Sequence, residues 1–80
     1  MKHLELFAGI GGFRNAFNIL GKDLNISMEC IGYSEIDLYA NKTYSSNYDI
    51  SPNEIVLGDI TVFTSNKENI ENLPSFDILT

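Results

Sequence analysis

The sequence predicts an α/β fold, an open parallel sheet doubly wound with crossover helices. Three observations predict it. Short apolar runs with strand character alternate with runs of helical period along all 80 residues. The glycine-rich turn Gly9-Ile10-Gly11-Gly12 lies between the first strand and the first helix. No repeat, low-complexity tract or long linker divides the chain.

Each element has its own signal. Residues 3–8 read as a buried strand, and residues 13–20 as a helix whose apolar face is Phe13, Ala16, Phe17 and Leu20, at i, i+3, i+4 and i+7. Gly21 stands where a helix C′ glycine is expected, followed by a polar loop over Lys22–Ser27. Met28–Ser34 reads as the second strand. Asp37 is the expected N-cap of a helix over 38–47, which ends in Ser45-Ser46-Asn47. Pro52 marks a connection, and Ile55-Val56-Leu57 forms a third strand ending at Gly58-Asp59. Ser65-Asn66-Lys67-Glu68 has the form of a capping box and predicts a short helix over 66–72, stopped by Pro74. Phe76-Asp77-Ile78-Leu79 begins a fourth strand.

Composition narrows the function classes. A hydrophobic content of 44% with evenly spread charge is that of a globular domain. No apolar run approaches the roughly 18 residues of a membrane span, and Met1–Glu5 lacks the apolar core of a signal peptide, so a cytoplasmic protein is expected. One cysteine and one histidine offer neither a disulfide framework nor a metal cluster. Five Lys and Arg against eleven Asp and Glu, a net charge of −6, predict weak or no DNA binding by this acidic stretch alone.

Parallel sheets bind ligands at the carboxyl ends of their strands, here Phe7–Gly12, Ser34–Asp37 and Gly58–Thr61. The glycine turn departs from a dinucleotide fingerprint, because the third glycine of G-x-G-x-x-G is replaced by Arg14. A cofactor without pyrophosphate, such as S-adenosylmethionine, needs only room for its amino-acid end there. A tight turn with no ligand is the plainer alternative. Glu35, about twenty residues beyond the glycines, stands where an acid accepts both hydroxyls of a ribose. Its alternative role is a solvated carboxylate at a helix start. Ile36 is placed to lie against an adenine face, or to be an ordinary core residue. Asp59 is placed to accept from an adenine amino group, or to cap the following turn. Cys30 reads as a small buried thiol rather than a nucleophile, His3 as a strand-edge residue without a chemical role, and Asp77 as indirect support from strand four.

Leu6-Phe7-Ala8-Gly9-Ile10-Gly11-Gly12-Phe13-Arg14, Tyr33-Ser34-Glu35-Ile36-Asp37 with Tyr39-Ala40, Gly58-Asp59-Ile60, and Phe76-Asp77-Ile78-Leu79 resemble, in order and spacing, the DNA (cytosine-5) methyltransferases. The resemblance implies a partial Rossmann-like methyltransferase fold of three layers. It implies S-adenosylmethionine as cofactor, with Phe7, Ala8, Gly9, Ile10, Gly11 and Gly12 around its methionine part. Glu35 would bind the ribose, Ile36 would pack on the adenine, and Asp59, with Ile60 beside it, would reach the adenine amino group. It further implies methyl transfer to carbon 5 of cytosine in DNA, in a restriction-modification or DNA methylation setting.

Members of that family continue past the fourth strand into a loop with a Pro-Cys dipeptide whose thiolate attacks the cytosine ring. Residues 1–80 are therefore expected to be the incomplete N-terminal part of the cofactor-binding domain, inactive alone, with the nucleophile beyond Thr80. A complementary C-terminal methyltransferase polypeptide is one partner this implies. Other readings remain: relatives that methylate tRNA, an inactive binding remnant or half of a split enzyme, and a nicotinamide oxidoreductase, which Arg14 disfavours. The unpaired apolar edge at strand four predicts that the isolated chain is marginal, dimeric or aggregation-prone.

Overall fold

The computed structural model describes residues 1–80, and its architecture is α/β with an all-parallel, four-stranded sheet. The elements in order are β1 (Lys2–Glu5), α1 (Gly12–Leu24), β2 (Glu29–Ser34), α2 (Leu38–Asn47), β3 (Ile55–Gly58), α3 (Ile60–Thr64), α4 (Lys67–Glu71) and β4 (Ile78–Leu79). Strand order is β3-β2-β1-β4. The chain winds outward through β2 and β3, then returns to the other side of β1. That reversal is the switch point at which doubly wound sheets open a crevice above the strand ends. No helix is long and apolar enough to cross a membrane.

The two faces of the sheet are built differently. Leu4, Ile31 and Leu57 form an aliphatic core with Leu6, Ile55, Ile60, Phe63 and Leu73, so α3 and the segment after α4 cover this face. On the opposite face His3 meets Phe17 of α1, and Tyr33 stacks on Tyr44 of α2 at 4.1 Å between ring centroids. A register shift permits this. His3 pairs with Cys30 but Leu4 pairs with Gly32, so Ile31 is an extra residue and the alternation of β2 changes phase around it.

Several expected boundaries move. The first strand ends at Glu5, because Phe7 adopts φ 51°, in the left-handed region, and turns the chain early. Helix α1 runs through Gly21 to Leu24, and Asn25 (φ 54°, ψ 43°) is its left-handed cap, so Gly21 is not the C′ residue and Lys22–Leu24, the first half of the expected loop, is helix. Gly21 is glycine for packing: a Cβ there would strike the Met28 side chain and approach the Ile26 carbonyl to 2.9 Å. The face of α1 turned to the sheet is Arg14, Phe17 and Gly21, while Phe13 and Leu20 stay exposed. The apolar periodicity pointed to the wrong stripe because the sheet beneath carries His3 and Glu5, which favour polar and aromatic partners.

Asp37 caps α2 as expected, its carboxylate accepting from the Ala40 N–H at 2.9 Å. The cap of α4 is Asn66 rather than Ser65, its side chain accepting from Glu68 N–H, and the helix covers 67–71. Helix α3 had no signal of its own beyond a cap at Asp59. His3 is not an edge residue. It lies on an interior strand, 1% exposed, with Nε2 at 2.8 Å from the Thr80 hydroxyl, and burial together with the Arg14 charge lowers its pKa. Asp77 precedes a two-residue β4. It accepts from the Lys2 N–H and donates to the Lys2 carbonyl, both at 2.8 Å, which fixes the edge strand at the end of the sheet away from the glycine turn.

Candidate functional site

Three loops leave the carboxyl ends of β1, β2 and β3, and side chains tie them together. Ser34 closes β2. Its hydroxyl accepts from Phe7 N–H at 3.0 Å and its carbonyl from Ala8 N–H at 2.8 Å. These bonds hold Phe7 in its left-handed conformation, which a bulky residue adopts only where its surroundings impose it.

Glu35 spans two loops. Its Oε1 accepts from Gly9 N–H at 2.7 Å and its Oε2 from Asp37 N–H at 2.8 Å, while its carbonyl accepts from the Asn41 side chain at 2.7 Å. It is therefore not a freely solvated carboxylate. An ionised carboxylate offers about four acceptor positions. Two are used here, and two are left.

Asp59 caps α3. Its Oδ1 accepts from Thr61 N–H at 2.9 Å and from the Thr61 hydroxyl at 2.6 Å. The Thr61 hydroxyl and then its N–H hold the Asp59 carboxyl below the usual carboxylate range, which keeps it an acceptor at neutral pH. Phe7, Ser34, Glu35, Ile36, Gly58, Asp59, Ile60 and Thr61 line one recess of about 200 Å³. That is below the roughly 300–1,000 Å³ of a closed ligand pocket, so it has room for part of a ligand. Wider depressions beside Gly21–Met28 and along α2 lie away from the strand ends.

The structure thus gathers Phe7, Glu35, Ile36, Asp59 and Ile60 around the recess and joins Gly9 to it through Glu35. Ala8 is buried beneath. Ile10 and Gly12 line a separate shallow depression with Asn15, Asn47 and Tyr48, and Gly11 packs against the Tyr48 ring. Ser34 and Thr61 lay within the strand-end segments but had not been singled out. Their hydroxyls position the loops.

Sequence reasoning missed the buried network behind the glycine turn. Arg14 forks onto Glu54, with Nη1 to Oε2 at 2.7 Å and Nη2 to Oε1 at 3.0 Å. It also donates to the Tyr44 hydroxyl at 3.0 Å and the Asp49 carbonyl at 3.4 Å. Burial opposes its charge, but the bonds to Glu54 and Tyr44 hold the guanidinium still more firmly protonated. Tyr44, fully buried, donates to Glu5 Oε2 at 2.9 Å. A charged residue between Leu4 and Leu6 was the available signal that a buried partner had to exist. Cys30 is half-buried and donates to the Gly32 carbonyl at 3.3 Å. Burial, helped by the Glu54 charge, pushes its thiol up to about 11, so it carries no thiolate at neutral pH.

Glu5 gives a pH prediction. It is 0% exposed and its Oε1 has no hydrogen-bond partner. Burial raises its pKa above the ordinary 4.5. The folded state therefore keeps its proton when the unfolded state has lost it. Stability from this group is complete below the unfolded value and declines as pH rises through the folded value. Melts of parent and Glu5→Gln from pH 4 to pH 9 are expected to show the variant gaining on the parent as pH rises. Parallel curves would exclude this behaviour.

The fold and strand-end loops define an α/β chain with a partial Rossmann-like methyltransferase arrangement. The family described as C-5 cytosine-specific DNA methylase matches residues 1–80 from end to end. The chain belongs to that family. It is similar to the type II methyltransferase M.HgiCI of Herpetosiphon aurantiacus, 40% identical over 79 residues, which cover 99% of this chain and 16% of that protein. It is similar to the orphan methyltransferase M.SPBetaI of Bacillus phage SPbeta, 39% identical over 80 residues, covering 100% and 16% respectively. The type II methyltransferase M.MspI of Moraxella sp is 37% identical over 78 residues, covering 98% and 15%. The chain therefore spans about a sixth of the length of these relatives.

Proposed function

We propose that residues 1–80 are the N-terminal part of the cofactor-binding domain of a DNA (cytosine-5)-methyltransferase and hold S-adenosylmethionine. The observation that carries this reading is Glu35. With two acceptor positions taken by Gly9 and Asp37, two remain, which matches the two donors of a ribose diol. Ile36, 69% exposed beside Glu35, offers an apolar surface to an adenine ring. Asp59, held ionised, accepts from the adenine amino group, with Phe7 and Ile60 completing the recess. Ala8, Gly9, Ile10, Gly11 and Gly12 form the turn that receives the amino-acid end.

When bound, S-adenosylmethionine supplies the sulfonium methyl for transfer to carbon 5 of cytosine in DNA. These residues bind and orient the donor. They contribute no thiolate, since their one cysteine is the protonated Cys30. The nucleophile and the basic DNA-binding surface are assigned to residues outside 1–80, in the same polypeptide or in a complementary one.

The test is a thermal melt with and without S-adenosylmethionine. At about 100 times its dissociation constant the ligand adds roughly 2.7 kcal/mol to stability. For a domain of this size that corresponds to a rise in Tm of about 10–20 °C. Labelled S-adenosylmethionine is expected to be displaced by S-adenosylhomocysteine and not by NAD. An unmoved Tm, or displacement by NAD, overturns the reading.

A further inference from the structure

Tyr48 forms the C-terminal cap of α2, yet its side chain reaches back to the glycine turn. Its hydroxyl donates to the Gly11 carbonyl at 2.7 Å. That carbonyl also accepts the first helical bond of α1, from Asn15 N–H at 2.9 Å. Gly11 sits at φ 90°, and an added Cβ would run into the Tyr48 ring, with Cζ and the hydroxyl oxygen each at 2.9 Å. The absent side chain of Gly11 is thus the space the tyrosine fills. The ring is itself held: it tilts against Tyr44 at 5.1 Å, and the Arg14 guanidinium carbon lies 5.2 Å from its centroid.

Gly11 and Gly12 are consecutive glycines, and a peptide between two glycines rotates with little steric resistance. A peptide unit is planar and trans, so fixing its carbonyl fixes the N–H on the opposite side. Holding the Gly11 carbonyl therefore sets the direction of the Gly12 N–H at the start of α1.

We propose that Tyr48 is a positioning residue for the methyl donor, orienting the Gly11–Gly12 peptide in the turn that receives the amino-acid end of S-adenosylmethionine. The inference rests on the cofactor reading above. Tyr48 does not line the recess formed by Phe7, Glu35, Ile36 and Asp59, so its influence falls on one end of the ligand only.

The test compares the full chain with Tyr48→Phe, which keeps the ring against Gly11 and removes only the hydroxyl. Two ligands are titrated by calorimetry: S-adenosylhomocysteine, which carries the amino-acid end, and 5′-methylthioadenosine, which lacks it. Freeing the peptide lowers the fraction of protein in the competent conformation, and apparent affinity falls by that fraction. S-adenosylhomocysteine is expected to bind about fivefold to tenfold more weakly to the variant, the scale of one lost hydrogen bond, with 5′-methylthioadenosine unchanged. Equal affinities in parent and variant, or equal weakening of both ligands, overturn the positioning role. If the parent binds neither ligand, the cofactor reading itself fails and this inference falls with it. If the variant melts far below the parent, the Tyr48 hydroxyl proton of the ligand-free parent is followed by NMR instead: slow exchange of that proton, as its bond to the Gly11 carbonyl requires, supports the role, and rapid exchange overturns it.

Discussion

Arg14→Ala is expected to destabilise the fold by about 3–5 kcal/mol, because it leaves the carboxylate of Glu54 buried without its counter-charge. The Glu54 side chain is 1% exposed and receives both arms of the guanidinium. The same substitution removes the donor to the Tyr44 hydroxyl and the cation lying beside the Tyr44 and Tyr48 rings, 5.5 and 5.2 Å from their centroids. A domain of 80 residues has a small core. A loss of this size consumes much of the 5–15 kcal/mol that holds a typical native state. Tm should fall by about 4–8 °C for each kcal/mol. The paired replacement Arg14→Met with Glu54→Leu should cost far less, since burying two apolar groups leaves no orphaned charge. Denaturant melts of the single and double variants decide the matter. A single variant within about 1 kcal/mol of the parent would show that the pair does not hold the fold.

Glu35→Ala is expected to weaken S-adenosylmethionine binding on the order of 100-fold or more. A hydrogen bond to a charged group contributes about 1.5–3 kcal/mol, and on the proposed function two ribose hydroxyls bond to this carboxylate. The variant also releases Gly9 N–H and Asp37 N–H, so the first two loops lose their tie. Glu35→Gln separates the contributions. It keeps the volume, but its amide places a donor opposite one of two backbone donors, so binding is expected to remain weak while the fold melts close to the parent. Calorimetric titration of both variants is the measurement. Binding of Glu35→Ala within about twofold of the parent would remove Glu35 from the site.

The parts of this molecule that were legible in the sequence are those set by neighbouring residues. Strand–helix alternation gave the sheet, Asp37 announced the start of α2 to the residue, and the strand-end rule selected the loops that meet around the recess. Asp59 caps the turn into α3 as its alternative role required, and it also lines the recess at the strand ends. What stayed illegible depends on partners far away in the chain. Arg14 registered only as a missing glycine, because its counter-charge stands forty residues on, in a loop without a motif. The inward stripe of α1 was misassigned for the same reason. Periodicity reports which side chains are apolar, but the sheet beneath, with Glu5 and His3 turned toward the helix, decides which stripe faces inward. The early end of β1 depends on a left-handed Phe7, held by Ser34 across 27 positions.

Three of the ties within and behind this site span long stretches of chain: 26 residues from Gly9 to Glu35, 39 from Glu5 to Tyr44, and 40 from Arg14 to Glu54. Closing such loops comes late and slowly in folding, because the entropy of each closure precedes its reward. A nascent or partly folded form with only β1, α1 and β2 has the glycine turn but not Glu54, and so lacks the counter-charge for Arg14. On the proposed function, readiness for the ligand thus arrives once the chain has reached Glu54 and β3, rather than with the motif itself. A ligand that favours the finished state should accordingly slow unfolding more than it speeds folding.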